Sequence, residues 1–359
     1  MKNNFAQIYS EFSIRLNNGT QNTNIESKKL SSKYQKISQI AEAEILNGNF
    51  SNRHIKSWSQ QDDLGVPIQL RRLVNIDEYF FENLLRLLRD FLPHNFLKKE
   101  FKKHALQDDL NVLSHLGFIS ILKHNPLLGT PFTRDIYFSK KLSFNSRYLR
   151  YVYLVGQIEK FKLLSPDKKQ THVDIGNYYG GLQTLLYKKF PHTSFVSIEL
   201  PHQLFRSYLY HKKMFPDATQ IVGVKEFEYY QNQREEFGCF IYLLPEDYDF
   251  IHNYRKIDLL TNFLSFGEMS RYNFDNYMKS PSTLNSKKYY FVNRFISSPS
   301  LDKTYDADIT VNDYFIEETK LLNFDIFPIH HYMITKRKFL NSNWYRNVAS
   351  PQFELIQIR

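Results

Sequence analysis

The chain has 359 residues, a formal net charge of +10 and one cysteine, Cys239. That single cysteine excludes an intrachain disulfide framework and a cysteine-cluster metal site, and a content of 42% hydrophobic and 16% aromatic residues excludes a disordered chain. No run of about 18 apolar residues is present, and no apolar stretch follows Met1, so a cytoplasmic protein is expected. The excess positive charge points to anionic company: nucleic acid, an anionic membrane surface or a phosphate-bearing small substrate.

Residues 1–70 are polar, rich in Asn, Ser, Gln and Lys, and are expected to be partly disordered around a short helix near Ser32–Leu46. Residues 71–140 read as a helical region. Phe80, Phe81, Leu84, Leu85, Leu87 and Leu88 form one apolar stripe, and Leu110, Val112, Leu113, Leu116, Ile119 and Leu122 form another. The basic run Phe96–His104 between them is a solvated helix face or a peripheral contact with the inner face of the cell membrane. Residues 141–359 form the third region. Ser146–Leu163 is expected to be a helix, and from Thr171 onward strands and helices alternate. That alternation specifies a doubly wound, mostly parallel α/β sheet. Phe237–Leu244 is a further strand-like run that reads as an insertion. Lys288–Asn293, Phe324–Lys336 and Phe353–Ile358 are expected strands.

Thr171–Leu182 is the most informative stretch. His172–Ile175 reads as a strand, Gly176 as a sharp turn at its carboxyl end, and Leu182, Leu185 and Leu186 as the apolar face of a helix ending at Phe190-Pro191. Thr193–Ile198 supplies the next strand. Glu199 follows about 20 residues after the glycines, where a carboxylate can hydrogen-bond two ribose hydroxyls. A dinucleotide site calls for Gly-x-Gly-x-x-Gly, whereas this chain has Asp174-x-Gly176-x-x-x-Gly180. An acid within the turn suits S-adenosylmethionine (SAM), which carries no phosphate, better than a pyrophosphate. The candidate cofactor residues are Asp174, Gly176, Tyr178, Gly180, Gly181, Glu199 and Asn262. Tyr178 stands where a third glycine is usual.

Asp258–Met269 is the second informative stretch. Its strand places Asn262, Ser265 and Glu268 at a carboxyl end, where a cofactor's reactive group would project. Glu268 is the candidate general base, with His330 and His331 as further catalytic candidates. Glu268 also suits the first turn of a helix electrostatically. Asn262-Phe-Leu-Ser-Phe266 lacks the Asn/Asp-Pro-Pro-aromatic pattern of amino-group methylation, which disfavours nucleic-acid bases as acceptors. Asp247, Asp249 and His252 fall in an expected solvent-facing loop. No spacing forms a metal cage, so no metal is expected.

These segments together resemble the bacterial sugar O-methyltransferase family of surface-polysaccharide gene clusters, within the class I SAM-dependent methyltransferases. The resemblance rests on Val173–Leu182, Ile198–Pro201 and Asp258–Met269, with mild support from Glu354–Arg359, and covers roughly residues 70–359. It implies a seven-stranded class I methyltransferase sheet ending in an antiparallel strand, SAM as cofactor, and a sugar-containing acceptor: a nucleotide sugar, a lipid-linked glycan or a polysaccharide. A different reading is a catalytically degenerate scaffold subunit of glycan assembly, for which Tyr178 speaks. An RNA methyltransferase is a third, resting on charge and aromatic content alone.

Overall fold

The computed structural model describes residues 5–19, 107–124, 146–233, 237–297, 309–329 and 352–359. The chain divides into two compact units. The first comprises Met1–Ile8, Ser32–Tyr153 and Pro328–Thr335; the second comprises Tyr9–Ser31, Leu154–Phe327 and Lys336–Arg359. In the first unit, residues 107–115 are helical and are followed by α2 (Ile119–His124). Leu110, Leu113, Phe118, Ile121 and Leu122 are buried there, and Phe118 meets Tyr153 edge-on. The expected helix at Ser32–Leu46 and the stripe at residues 80–88 lie outside the described residues.

The second unit is built on one eight-stranded sheet in the order β3-β4-β2-β1-β5-β6-β8-β7. Its strands are β1 (Gln170–Ile175), β2 (Thr193–Ile198), β3 (Gln220–Val222), β4 (Phe240–Leu243), β5 (Leu259–Phe263), β6 (Lys288–Arg294), β7 (Lys320–Ile326) and β8 (Gln352–Ile358). The strands from β3 to β6 in that order are parallel, and β8 runs antiparallel to both β6 and β7. Every residue of β1, β2 and β4 is buried, as befits parallel strands covered on both faces. The sheet has eight strands rather than the seven expected. Phe240–Leu243, read as part of an insertion, is an interior strand between β2 and β3, because all four of its side chains are buried against core residues.

The helices follow local rules. The helix α4 (Gly181–Lys189) starts at a left-handed Gly180, and α5 (Pro201–Met214) opens on Pro201, whose missing N–H has no intrahelical partner to lose. Further described helices are α3 (Ser146–Lys160), α6 (Gly223–Gln233) and α7 (Arg271–Met278).

Two expectations need correction. Residues 5–17 form a helix, α1 (Phe5–Asn17), where a loosely ordered segment is expected. Phe12 packs among the rings of Phe205, Tyr208 and Tyr242, and Arg15 pairs with Glu226 and donates to the Gln220 carbonyl. Two buried residues, Phe12 and Leu16, are too short a stripe to stand out in sequence; the aromatic floor beneath them supplies the partner. The second correction is the late strand, expected at Phe324–Lys336. It begins at Lys320 and ends at Ile326, two residues before Pro328, which has no N–H to extend a ladder. At the far side, Glu354 on β8 is buried but accepts from the Tyr290 hydroxyl (2.5 Å) and Gln157 Nε2 (3.2 Å), so the terminal segment is a braced strand.

Candidate active site

The site lies at the carboxyl ends of β1, β2 and β5. Chain direction across the sheet reverses there, with β2 on one side of β1 and β5 on the other. The turn after β1 holds three left-handed residues within five: Gly176 (φ 80°), Tyr178 (φ 61°) and Gly180 (φ 78°). Two of these positions also lack room for a side chain. A Cβ on Gly176 would fall 2.2 Å from Ser265 Oγ, and one on Gly180 would fall 2.3 Å from His211 Nε2. Gly180 is therefore a packing requirement of the turn against α5. His211 is buried, its Nε2 donates to the Gly180 carbonyl (2.9 Å), and its ring stacks on Phe240 at 4.0 Å. Burial pushes its pKa down to about 3, so the ring is neutral. Its Nδ1 lies 2.9 Å from the Tyr242 hydroxyl oxygen, and that hydroxyl donates its proton to Gln220 Oε1.

Tyr178 adopts the left-handed backbone that glycine takes most readily, at φ 61°. Its N–H donates to Glu199 Oε2 (3.3 Å), its carbonyl accepts from Ser207 Oγ (3.0 Å), and its ring meets Tyr179 edge-on at 5.4 Å. The preceding Asn177 donates through Nδ2 to Ser197 and Ser207, tying the turn to β2 and α5. The left-handed backbone costs an ordinary residue about 1–2 kcal/mol. Replacing Tyr178 by Gly removes that strain but loses the ring contact, worth about 0.5–1.5 kcal/mol, and adds unfolded-state entropy. The expected result is a melting temperature and a SAM affinity close to wild type, within about 1 kcal/mol. A large gain in affinity and activity would instead mark the native turn as degenerate.

Asp174 does not lie inside the turn as expected. It is the penultimate residue of β1, buried, and its Oδ1 accepts from Thr261 Oγ1 on β5 (2.7 Å). That hydroxyl has one proton, so it must accept from His172 Nε2 (2.9 Å), giving a chain His172–Thr261–Asp174 through the sheet interior. Burial raises the Asp174 pKa to about 7, against the Thr261 hydrogen bond and with help from the Glu199 charge. Glu199, just beyond β2, accepts from the backbone N–H groups of Tyr178 and Leu200. Burial raises it to about 7 as well; those two N–H groups oppose the shift, the Glu268 charge adds to it, and Arg206 on α5 lowers it.

A carboxyl pKa raised above its unfolded value stabilises the fold fully below that unfolded value and loses the contribution as pH rises through the folded value. Asp174 therefore weighs against the unliganded fold increasingly from about pH 4 to about pH 7. Urea unfolding of wild type and Asp174→Asn at pH 5.5 and pH 8 tests this. The variant should improve relative to wild type by about 1–2 kcal/mol at the higher pH. An equal difference at both pH values would place the native carboxyl in the ordinary range.

Asn262, at the end of β5, is fully committed to the protein. Its Nδ2 donates to the Ile175 carbonyl (2.8 Å) and to Ser265 Oγ (2.5 Å), and its Oδ1 accepts from the Phe266 N–H and Asn293 Nδ2 (both 3.0 Å). It joins β1, β5, β6 and the following turn, so it braces the site rather than lining it. Leu264, left-handed at φ 73°, and the short 3-10 turn Phe266–Glu268 then carry Glu268 to the rim. The Glu268 side chain is 45% exposed and lies 3.7 Å from Arg294 Nη2 at the end of β6. Gly181 is the first residue of α4 and is buried.

The structure thus brings Asp174, Gly176, Tyr178, Gly180, Glu199 and Glu268 to one end of the sheet. His330 and His331 lie outside the described residues. Asp247, expected in solvent, is buried in the 3-10 segment Pro245–Asn253, whereas Asp249 and His252 are exposed. Thr261, Arg206, Glu246 and Tyr277 escape the sequence reading. Burial raises the Tyr277 hydroxyl well above the usual phenol range, and the charges of Glu199 and Glu246 add to the shift. Glu246 follows β4, and recognising Phe240–Leu243 as an interior strand would have pointed to it. Among the described residues no group of three or more His, Cys, Asp or Glu side chains is arranged to hold a metal ion.

No family model matches the chain, and no curated protein matches it. Among solved structures it is similar to a SAM-dependent methyltransferase from Anabaena variabilis, at 14% identity over 57% of this chain and 83% of that one, with a TM-score of 0.31. It is similar to M. capricolum TrmK bound to S-adenosyl-homocysteine, at 11% identity over 56% and 67% of the two chains, with a TM-score of 0.30. A third similarity is to a structure concerned with converting a disulfide bond into a thioacetal group in echinomycin biosynthesis, at 11% identity over 58% and 80%, with a TM-score of 0.34. Likenesses of this size bear on neither substrate nor mechanism, so the site stands on its own geometry. No described helix is long and apolar enough to cross a membrane.

Proposed function

We propose that the protein is a SAM-dependent O-methyltransferase whose acceptor is a sugar hydroxyl in surface-polysaccharide biosynthesis. The observation that carries the cofactor is the left-handed turn at Gly176, Tyr178 and Gly180, closed over Glu199 at the end of β2. Each Glu199 oxygen accepts one backbone N–H, which leaves lone pairs for a ribose diol. Burial raises Asp174 and Glu199 to about 7, and a cationic sulfonium beside them would favour their ionised forms. The first turn of α4 has neither an acidic residue nor a side-chain cap, which suits the carboxylate of the cofactor's amino-acid end.

Bound SAM supplies a methyl group on a sulfonium. The rim must then hold the acceptor oxygen in line with it, and such positioning carries much of the rate. Glu268, partly exposed beside Arg294, is the group we assign to take the hydroxyl proton as the carbon–oxygen bond forms and the carbon–sulfur bond breaks. The sugar acceptor is supported by the resemblance of Asp258–Met269 noted above. Calorimetric titration with SAM and its demethylated product tests the cofactor. Glu199→Ala should weaken binding by about 1.5–3 kcal/mol, and no binding by wild type would refute the assignment. Mass spectrometry of surface glycans with and without the protein tests the acceptor. An unchanged methylation pattern there, with SAM binding intact, would move the acceptor elsewhere.

A further inference from the structure

The net charge of +10 is spread unevenly, and its excess lies away from the site. The amino edge of the sheet from β1 to β7 gathers residues 161–169 before β1, 254–258 before β5, 285–287 before β6 and 315–319 before β7. Lys288 and Lys320 open their strands there, and Arg359 follows β8. Together these positions hold nine basic residues against four acidic ones, Asp167, Asp258, Glu317 and Glu318. The carboxyl edge instead carries Asp174, Glu199, Glu246 and Glu268.

Backbone pairing sets the cations in one row. Ile358 on β8 pairs with Lys288 on one side and Lys320 on the other. The Arg359 N–H donates to the Lys287 carbonyl (2.8 Å), and the Lys287 N–H donates to the Ile257 carbonyl (2.9 Å), next to Lys256. Lys288 Nζ donates to the carbonyls of Lys162 and Leu163 (both 2.8 Å), which brings in the end of α3. Five strands about 4.8 Å apart make the row about 19 Å wide. Seven of these cations are exposed, and six of the seven are lysine. Lys162, Lys168, Lys256 and Lys320 have no acidic partner among the described residues. Lys162 also takes a left-handed backbone (φ 52°) just past α3, where glycine is the usual residue, so a lysine stands there at a cost in stability. We infer that this edge is the surface on which the protein docks to an anionic membrane leaflet, independently of the activity proposed above.

A bilayer suits this edge better than a nucleic acid does. Lysine is a hydrated point charge, and a diffuse lipid surface needs no more, whereas phosphate recognition on a duplex favours the arginine fork. Helices beside a parallel sheet turn their carboxyl ends to this edge, so it offers few backbone N–H groups to phosphates. Leu284, 44% exposed, ends the short helix α8 (Pro281–Leu284) three residues before Lys287. It adds an apolar side chain that a headgroup layer can take up. Docking through the amino edge leaves the carboxyl edge, and the candidate site with it, facing away from the lipid.

Vesicle flotation of the full chain, read with thermal melting, tests the inference. At about 0.1 M salt the chain should rise with vesicles containing phosphatidylglycerol and not with pure phosphatidylcholine, and about 0.5 M salt should release it. A lysine near such a surface adds about fivefold to the binding constant. Lys168→Gln/Lys256→Gln/Lys320→Gln should therefore bind about 100-fold more weakly while melting near wild type. Lys162→Gly should bind about fivefold more weakly yet melt at or above wild type, because glycine relieves the left-handed backbone. Those opposite signs separate lost docking from lost folding. Wild type that ignores phosphatidylglycerol vesicles would overturn the inference, as would a triple variant that binds them normally. Tighter binding to duplex RNA than to the vesicles would overturn it too, and would assign the edge to nucleic acid.

Discussion

Glu268→Gln is expected to slow methyl transfer by about 10²–10⁴-fold while SAM affinity barely changes, because the amide keeps the shape and loses the basicity. The side chain is 45% exposed, so the variant should melt near wild type. Arg294, 3.7 Å away, holds the carboxylate at the rim through an ion pair too long and too exposed to contribute much to stability. Single-turnover transfer and melting temperature measured on one sample separate the possibilities. Normal turnover would remove Glu268 from the mechanism and leave His330 or His331 as the next residues to substitute. Lower stability with normal turnover per folded molecule would assign it to the first turn after β5.

Gly180→Ala should damage the fold itself. The backbone there is left-handed at φ 78°, which costs a residue with a Cβ about 1–2 kcal/mol. The new methyl would also sit 2.3 Å from His211 Nε2 and 2.5 Å from its Cε1. His211 has little room to yield: it is fully buried, stacked on Phe240, bonded to Gly180 and in contact with Tyr242. Overpacking of this kind adds about 1–3 kcal/mol. Urea unfolding should therefore show a loss of about 2–5 kcal/mol. Adding His211→Ala should recover the packing part and leave the backbone part, a coupling that a double-mutant cycle reads directly. Additive effects would show that the turn does not rest on His211.

Local pattern sufficed for the elements around the site. The apolar run to Ile175, the turn at Gly176, the proline opening α5 and the acid after Thr193–Ile198 each act within a few residues, so they are legible without neighbours. The alternation of strands and helices was enough to specify a mostly parallel sheet, since parallel strands need crossovers. Periodicity could not separate an insertion from an interior strand at Phe240–Leu243, because burial on both faces erases the alternation that marks a strand. The eighth strand, and with it Glu246, therefore emerged only from pairing.

Helix α1 was hidden for a related reason: Phe12 and Leu16 gain their burial from Phe205, Tyr208 and Tyr242, which are distant in sequence. Tertiary structure also decided what each site residue touches. Asp174 faces Thr261 and Asn262 faces Ile175, contacts across 87 positions of sequence; burial there raises the Asp174 carboxyl to about 7 against the Thr261 hydrogen bond, and Asn262 becomes a brace. Sequence determined which residue types stand at the ends of these strands, since backbone conformation depends on near neighbours. Their ionisation and hydrogen bonding depend on what the sheet brings alongside, and only the folded chain contains that.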